Sequence, residues 1–150
     1  MSFAKSVIRS YSEPETQYLK TQRLARVATV SRGGRPDVVP VAFEYDGVYF
    51  YVGSHSQDIF RKTRKYLNVK NGNNRIAIVI DDLESVDPWR PRGIKIYGTA
   101  DVVERKGMFG QGKYLRITPG VSWSWGIMGL KTNEGPFRLK TVHREQRTSQ

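Results

Sequence analysis

The chain has 150 residues, of which 38% are hydrophobic and 26% are charged, and this composition is typical of one soluble domain with a single core. It has no cysteine, which excludes disulfides, thiolate metal sites and a cysteine nucleophile. It has only two histidines, His55 and His143, and so few histidines make a zinc site or a histidine-based triad improbable. The net charge of +11 indicates an anionic partner, such as nucleic acid, a phosphorylated cofactor or an acidic substrate, unless it serves solubility alone.

No apolar run is long enough to cross a bilayer, and the first residues lack the apolar segment of a signal peptide. We therefore expect a cytoplasmic protein with no membrane span. It should fold as one domain over residues 1–150, with a core from about residue 12 to residue 143 and flexible ends.

A helix and a strand are predicted at the start of this core. Ser12 and Glu15 have the spacing of a capping box, so a helix should run to about Arg23. Residues 24–30 alternate in polarity as a strand does, and the Gly-Gly pair and proline within residues 32–36 predict a turn after it.

Two further strands should form a hairpin. Residues 37–45 form the first strand, and Asp46-Gly47 is a strong hairpin signal before the second strand at residues 48–52. Pro40 cannot donate a ladder hydrogen bond, so its strand should be an edge strand, carry a bulge or meet a ligand. The small polar residues 53–56 that follow suit a loop close to a ligand.

One basic helix is predicted next, ending at the glycine and asparagines of residues 71–74. No acid occurs between Asp58 and Asp81, so this part of the chain is strongly cationic. Spacing of three and four residues predicts a packed side and a cationic side. The packed side carries Ile59, Thr63, Tyr66 and Leu67, and the cationic side carries Arg61, Arg64, Lys65 and Asn68.

The rest of the chain is predicted to be mostly strand. Residues 76–80 are apolar on both faces, as in a central barrel strand, and residues 94–103, 114–118 and 137–142 read as three more strands. Adjacent strand residues point to opposite faces, so Asp81 and Asp82 should not converge as a metal or acid-base pair and should cap or turn the chain. The pattern predicts a mainly β protein, a small antiparallel barrel with short helices.

Thr63, Arg64 and Lys65 are the first candidates for a binding site. A hydroxyl followed by two cations suits a terminal phosphate, because the hydroxyl can donate one hydrogen bond and the cations can supply charge-assisted ones. Charge alone favours the simpler interpretation of a solvated helix face.

Three stretches in order resemble the pyridoxamine-5′-phosphate-oxidase-like split-barrel superfamily. They are residues 34–41, residues 63–66 with Val69, and residues 79–83. Residues 85–94, with the run Asp-Pro-Trp-Arg-Pro-Arg-Gly, and Ser124-Trp125-Gly126 resemble its branch of deazaflavin-dependent oxidoreductases, which use coenzyme F420. The resemblance covers roughly residues 24–127.

The resemblance implies an FMN-binding split barrel that forms a homodimer, with a flavin or deazaflavin in each of two clefts between subunits. Val39, Pro40 and Val41 would lie along the tricyclic ring. The phosphate would be held by Ser54, Thr63, Arg64 and Lys65, with His55 beside it. The acidic tail of coenzyme F420 would give the positive charge a purpose.

Three more side chains are expected at the cofactor. Trp89 and Arg90 lie between two prolines, which stiffen the loop. The favoured interpretation is that the indole covers the ring or the guanidinium contacts an anion, and the alternative is that Trp89 packs in the core. Trp125 would cover the cofactor from the neighbouring subunit, with core or dimer packing as an equal alternative. The tyrosines at positions 49, 51, 66 and 97 are expected to pack in the fold.

The resulting hypothesis is an oxidoreductase that uses reduced coenzyme F420 to reduce a small unsaturated organic substrate, with no metal and no side-chain nucleophile. FMN is the alternative cofactor, because the same phosphate clamp serves both. A basic barrel that binds nucleic acid is the rival from another class, disfavoured because the aromatic residues alternate as core positions. A cofactor carrier without catalysis is the third hypothesis.

Overall fold

The computed structural model describes residues 11–128 and 139–143, with only the backbone of Leu139. These residues form three short helices and eight strands. Their bounds are α1 Glu13–Thr21, β1 Leu24–Val30, β2 Pro36–Ala42, β3 Glu44–Tyr45, β4 Phe50–Val52, α2 Gln57–Phe60, α3 Arg64–Lys70, β5 Arg75–Ser85, β6 Arg90–Gly107, β7 Gly110–Trp125 and β8 Leu139–Val142.

The strands form one antiparallel sheet in the order β2-β1-β5-β6-β7-β4-β3, and β8 also pairs with β7. The predicted mainly β, antiparallel fold with short helices is confirmed. β2, which carries Pro40, lies at the edge of the sheet, one of the positions its proline predicts. The single strand predicted at residues 37–45 is wrong: it is divided into β2, which pairs with β1, and β3, which forms the hairpin with β4. β5 is a central strand, also as predicted.

The capping box closes the start of α1. The Ser12 hydroxyl accepts from the Glu15 amide, and the Glu15 carboxylate accepts from the Ser12 amide. Glu15 is nevertheless 1% exposed, because its other oxygen accepts a hydrogen bond from the buried hydroxyl of Ser124. The cap therefore also fixes α1 against β7, and Tyr18 and Leu19 of α1 enter the core.

The single basic helix predicted after residue 56 is wrong: the chain forms α2 and α3 with a break between them. The reason is the burial of Phe60 and Tyr66, whose rings lie 5.2 Å apart in the core. Six residues on a continuous helix turn the side chain to a direction about 120° away. The break lets both rings point inward.

The predicted sides of this helical segment also need correction. Asn68, expected on the cationic side, is 4% exposed and donates to the hydroxyl of Thr29 at 2.9 Å, which satisfies both buried polar groups. Ile59, expected to pack, is 63% exposed on α2.

β5 extends beyond the predicted residue 80 to Ser85, so the predicted turn or capping role of the two aspartates is wrong. Asp81 pairs with Arg26 of β1 at 2.6 Å, and Asp82 pairs with Arg92 of β6 at 2.8 Å. Each carboxylate joins β5 to a neighbouring strand, and the two do not form one site.

The sheet has a buried face and an outer face. Ile76, Ile78 and Ile80 of β5 are buried, while Ala77 and Val79 between them are partly exposed, so the apolar outer side of β5 is not enclosed within the described protomer. β6 and β7 are far longer than predicted and form one continuous hairpin from Gly93 to Trp125.

Candidate functional site

Lys65 lies in the first turn of α3, where its charge interacts with that of Asp37 on the edge strand β2. Its ammonium is half-buried, 5.8 Å from the centre of the Phe60 ring. Burial lowers its pKa below the ordinary value, and the negative charge of Asp37 opposes that shift. Within residues 11–128 and 139–143, no carboxylate lies within 4 Å of this ammonium. A partly desolvated cation of this kind suits an anionic ligand.

Thr63 is the N-cap residue of α3, but its side chain makes no capping hydrogen bond to α3 and bonds to the end of α2 instead. The hydroxyl donates to the carbonyl oxygen of Phe60 at 2.7 Å. A hydroxyl has one proton, so donation to a phosphate would require that bond to break. Arg64 is exposed at the start of α3, and together with Lys65 it supplies positive charge there.

Ser54 and His55 lie on the loop between β4 and α2. Ser54 is half-buried and its hydroxyl accepts weakly from the Ser56 amide, at 3.4 Å. The exposed His55 packs edge-on against Phe109, with ring centres 4.3 Å apart. The Gln57 amide group accepts from the Lys113 backbone N–H at 2.8 Å, so the tip of the β6–β7 hairpin holds this loop in place.

Val39, Pro40 and Val41 follow Asp37 along β2. Val41 lies four positions after Asp37, or about 13 Å at the rise of a strand. Pro40 is exposed, Val39 is half-buried and Val41 is 8% exposed. The residue of β2 whose charge interacts with Lys65 therefore precedes the segment that was predicted to lie along the ring.

Trp89 and Arg90 lie far from Lys65. Val38, the neighbour of Asp37, shares a cross-strand row with Ala28 of β1 and Ala77 of β5. From Ala77 the chain runs eight residues to Ser85, about 26 Å, before it turns toward Trp89. Trp89 is 66% exposed, so it does not plug the core of this protomer. One protomer does not bring it to the lysine.

Trp125 is also distant from β2. It lies on β7, four strands from β2 in the sheet order, or about 19 Å across the ladder. Its indole covers Gly93 on the outer face: a Cβ on that glycine would lie 2.6 Å from the indole. Thus Trp89 and Arg90 lie beyond the far end of β5 from the row of Val38, and Trp125 lies four strands across the sheet from β2.

Sequence reasoning missed two outward-facing aromatic side chains, of which Tyr97 is exposed and Trp123 partly exposed. Tyr97, expected to pack, is 48% exposed, and Trp123 lies beside it on the outer face with ring centres 5.2 Å apart. Alternation with the buried Ile96 and Ser122 could have identified both as outward-facing. The expectation that the aromatic residues alternate as core positions is therefore wrong for this part of the sheet.

No group of three or more metal-ligating side chains occurs within residues 11–128 and 139–143. Over the same residues, no helix has the length and apolar character needed to cross a membrane.

A family model described as pyridoxamine 5′-phosphate oxidase matches residues 13–119. The chain is 35% identical over 123 residues to a protein of Streptomyces rimosus subsp. rimosus named 5a,11a-dehydrotetracycline/5a,11a-dehydrooxytetracycline reductase. That match covers 79% of this chain and 85% of the relative.

Solved structures have the same fold at lower identity. HupZ of group A Streptococcus matches with a TM-score of 0.60 and 18% identity, over 77% of this chain and 94% of that one. A structure named F420 Reductase matches with a TM-score of 0.50 and 18% identity, over 67% of this chain and 89% of that one.

Proposed function

Because the chain belongs to the pyridoxamine 5′-phosphate oxidase family and is an oxidoreductase of that type, we propose that it uses reduced coenzyme F420 to reduce a conjugated carbon–carbon double bond. The curated relative carries the name of a reductase of dehydrotetracyclines, which supports reduction over oxidation. The proposed substrate is a small, unsaturated, cyclic organic molecule. FMN is the alternative cofactor, since a phosphate clamp does not distinguish it from the deazaflavin.

The observation that carries this proposal is the half-buried ammonium of Lys65, whose charge interacts with that of Asp37 on β2. A half-buried ammonium without a carboxylate partner among the described residues fits a phosphate. Pro40, next along the same edge strand, has no amide proton to compete with a ring for hydrogen bonds. The residues present therefore fit the phosphate and ring of a flavin or deazaflavin.

The bound deazaflavin would supply hydride transfer, and the protein would supply binding, orientation and exclusion of water. Lys65 and Arg64 would hold the phosphate by charge-assisted hydrogen bonds. Val39, Pro40 and Val41 would present backbone along the ring, because the side chain of Val41 is in the core and that of Val39 packs against it. Thr63 would act as a positioning residue, because its bond to the Phe60 carbonyl sets where α2 ends and α3 begins.

The proposed active form is a homodimer. Trp89 and Arg90 follow Ser85, which lies up to about 26 Å along β5 from the row of Val38, so we expect that one protomer does not bring them to the same ring and phosphate as Lys65. In a dimer the exposed connection between β5 and β6, residues 86–89, would reach the cofactor site of the other copy. Val86 and Trp89 in this connection are 69% and 66% exposed. The connection and Trp125 would then complete the partner's site.

Cofactor titration tests the proposal. Purified protein is titrated with coenzyme F420 and, separately, with FMN, while tryptophan and cofactor fluorescence are recorded. We expect micromolar or tighter binding of the deazaflavin and catalysed loss of its reduced form in the presence of a cyclic enone. Binding of neither cofactor, with binding of a generic oligonucleotide, would refute the enzyme proposal in favour of a nucleic-acid-binding barrel.

A further inference from the structure

The outer face of β6, β7 and β8 carries two aromatic rings with two lysines around them. We infer that Tyr97, Trp123, Lys95 and Lys140 form a binding platform for a planar, conjugated organic anion. The inference goes beyond the proposed function, because Trp123 lies four strands from β2 in the sheet and the platform would therefore be a ligand site separate from the ring.

The four side chains are brought together by the β registers. Lys95 lies opposite Trp123, which lies opposite Lys140, while Tyr97 is two residues along β6 from Lys95. The Lys95 ammonium is 4.7 Å from the centre of the indole and 5.2 Å from the centre of the Tyr97 ring. The Lys140 ammonium is 5.9 Å from the same indole.

The charge on this face is one-sided. Two cross-strand rows of outward residues run from β2 to β8. They comprise Pro40, Arg26, Val79, Lys95, Trp123 and Lys140 in one row, and Val38, Ala28, Ala77, Tyr97, Val121 and Val142 in the other. These rows hold three cations and no acid.

Arg26 already has a partner in Asp81 at 2.6 Å, whereas within the described residues Lys95 and Lys140 have no carboxylate within 4 Å. Two like charges around one indole repel each other. A negative charge placed between them would be attracted to both.

The shape beside the lysines suits a flat ring system. A shallow groove of about 530 Å³ begins at Tyr97 and runs past Gly98 and Val121 toward Ala28 and Ala77. Its exposed lining is mostly apolar, with Arg75 and two threonines among the lining residues. Ligand sites combine such apolar surface with a few placed polar groups that fix orientation. The rings and groove would hold the conjugated part, and the lysines would hold the anionic group.

A pair of probes that differ in charge tests the inference. 2-Naphthoate is a planar anion, and 2-naphthamide has the same ring without the charge. Binding of each is measured by quenching of tryptophan fluorescence at low salt. We expect the naphthoate to bind at least about tenfold more tightly than the amide, and the difference to shrink as salt is added.

The variants separate the roles of charge and ring. Lys95→Gln should remove most of the preference for the anion and leave amide binding unchanged, while Lys95→Arg should retain the preference. Lys106→Gln is the matched control, because Lys106 is an exposed lysine on the same strand near the other hairpin end. Tyr97→Leu should weaken both probes, and since this ring is half exposed the variant should still fold.

Cofactor titration of the same variants distinguishes this inference from the proposed function. Wild-type binding of coenzyme F420 without discrimination between the probes would overturn the platform and leave the proposed function standing. Discrimination without binding of either cofactor would support the platform and refute the proposed function. If probe binding disappears as protein concentration rises and sedimentation shows dimerisation over the same range, the face is an interface between copies and the inference is wrong.

Discussion

Replacing Lys65 by methionine should separate cofactor binding from stability. Methionine keeps an unbranched apolar stem against Phe60 and removes the ammonium. A hydrogen bond to a charged group contributes about 1.5–3 kcal/mol, so loss of the lysine should weaken cofactor binding by roughly 10- to 150-fold.

The apo protein should lose little stability in the same variant. The cation–π contact with Phe60 contributes at most about 1 kcal/mol at such a partly exposed site. Burial of the charged ammonium costs free energy in the folded state and lowers the pKa of Lys65, and the methionine variant removes this desolvation cost. In the wild type the desolvation cost is fully present at neutral pH. It declines as pH rises through the lowered pKa of the folded state and is gone above the ordinary value of 10.5, where both states have lost the proton.

The assay pairs cofactor titration with urea unfolding of the apo protein, on wild type, Lys65→Met and Lys62→Met. Lys62 is exposed three residues earlier, so its variant removes the same net charge without the half-buried position. Equal weakening of cofactor binding by both variants would show a diffuse charge effect. A loss of apo stability as large as the loss of binding energy would show that Lys65 is structural.

Three further predictions concern the sheet and the dimer. The hydrogen bond from Arg92 lowers the pKa of Asp82 below 3.8, so Asp82→Asn should destabilise the fold by about 1 kcal/mol at pH 7. The difference in urea midpoint between wild type and variant should shrink as pH falls below 3.8, where the carboxylate takes up a proton. A difference at pH 3 equal to that at pH 7 would contradict this role of Asp82. Gly98→Ala should lower the free energy of unfolding by more than about 2 kcal/mol or prevent folding, because the new Cβ would lie 2.3 Å from the Thr118 carbonyl oxygen. Gly33→Ala is the control: its new Cβ would lie 4.0 Å from the nearest side chain, so this variant should unfold at nearly the wild-type urea midpoint. Mixing Lys65→Met protomers with Trp89→Ala protomers should create a tight cofactor-binding fraction that neither variant shows alone, and its absence would argue against sites shared between copies.

Local chemistry accounts for what could be predicted directly from residues. The capping box, the Asp46-Gly47 hairpin and the stop after Lys70 each depend on neighbours within a few positions, and the structure has all three. Gly47 has φ +100°, a backbone conformation that favours glycine, which is why the dipeptide is informative alone. Strand alternation identified β1, and the missing amide proton of Pro40 indicated the edge position of β2.

Errors arose where burial elsewhere in the fold outweighed a local pattern. The break between α2 and α3 follows from two rings that must enter one core, and the burial of Asn68 follows from Thr29, thirty-nine positions away. The extension of β5 past Asp82 depends on arginines from two other strands. None of these partners is visible in a short window.

The sequence by itself determined the family and the antiparallel β class, because ordered motifs and alternation are properties of the chain. Only the tertiary structure decided how far apart the candidate residues lie. The charge of Lys65 interacts with Asp37 of β2, whereas Trp89 follows the far end of β5 and Trp125 lies four strands from β2. The tertiary structure also turns Tyr97 and Trp123 outward between two lysines, since the side that a strand buries depends on what packs against it.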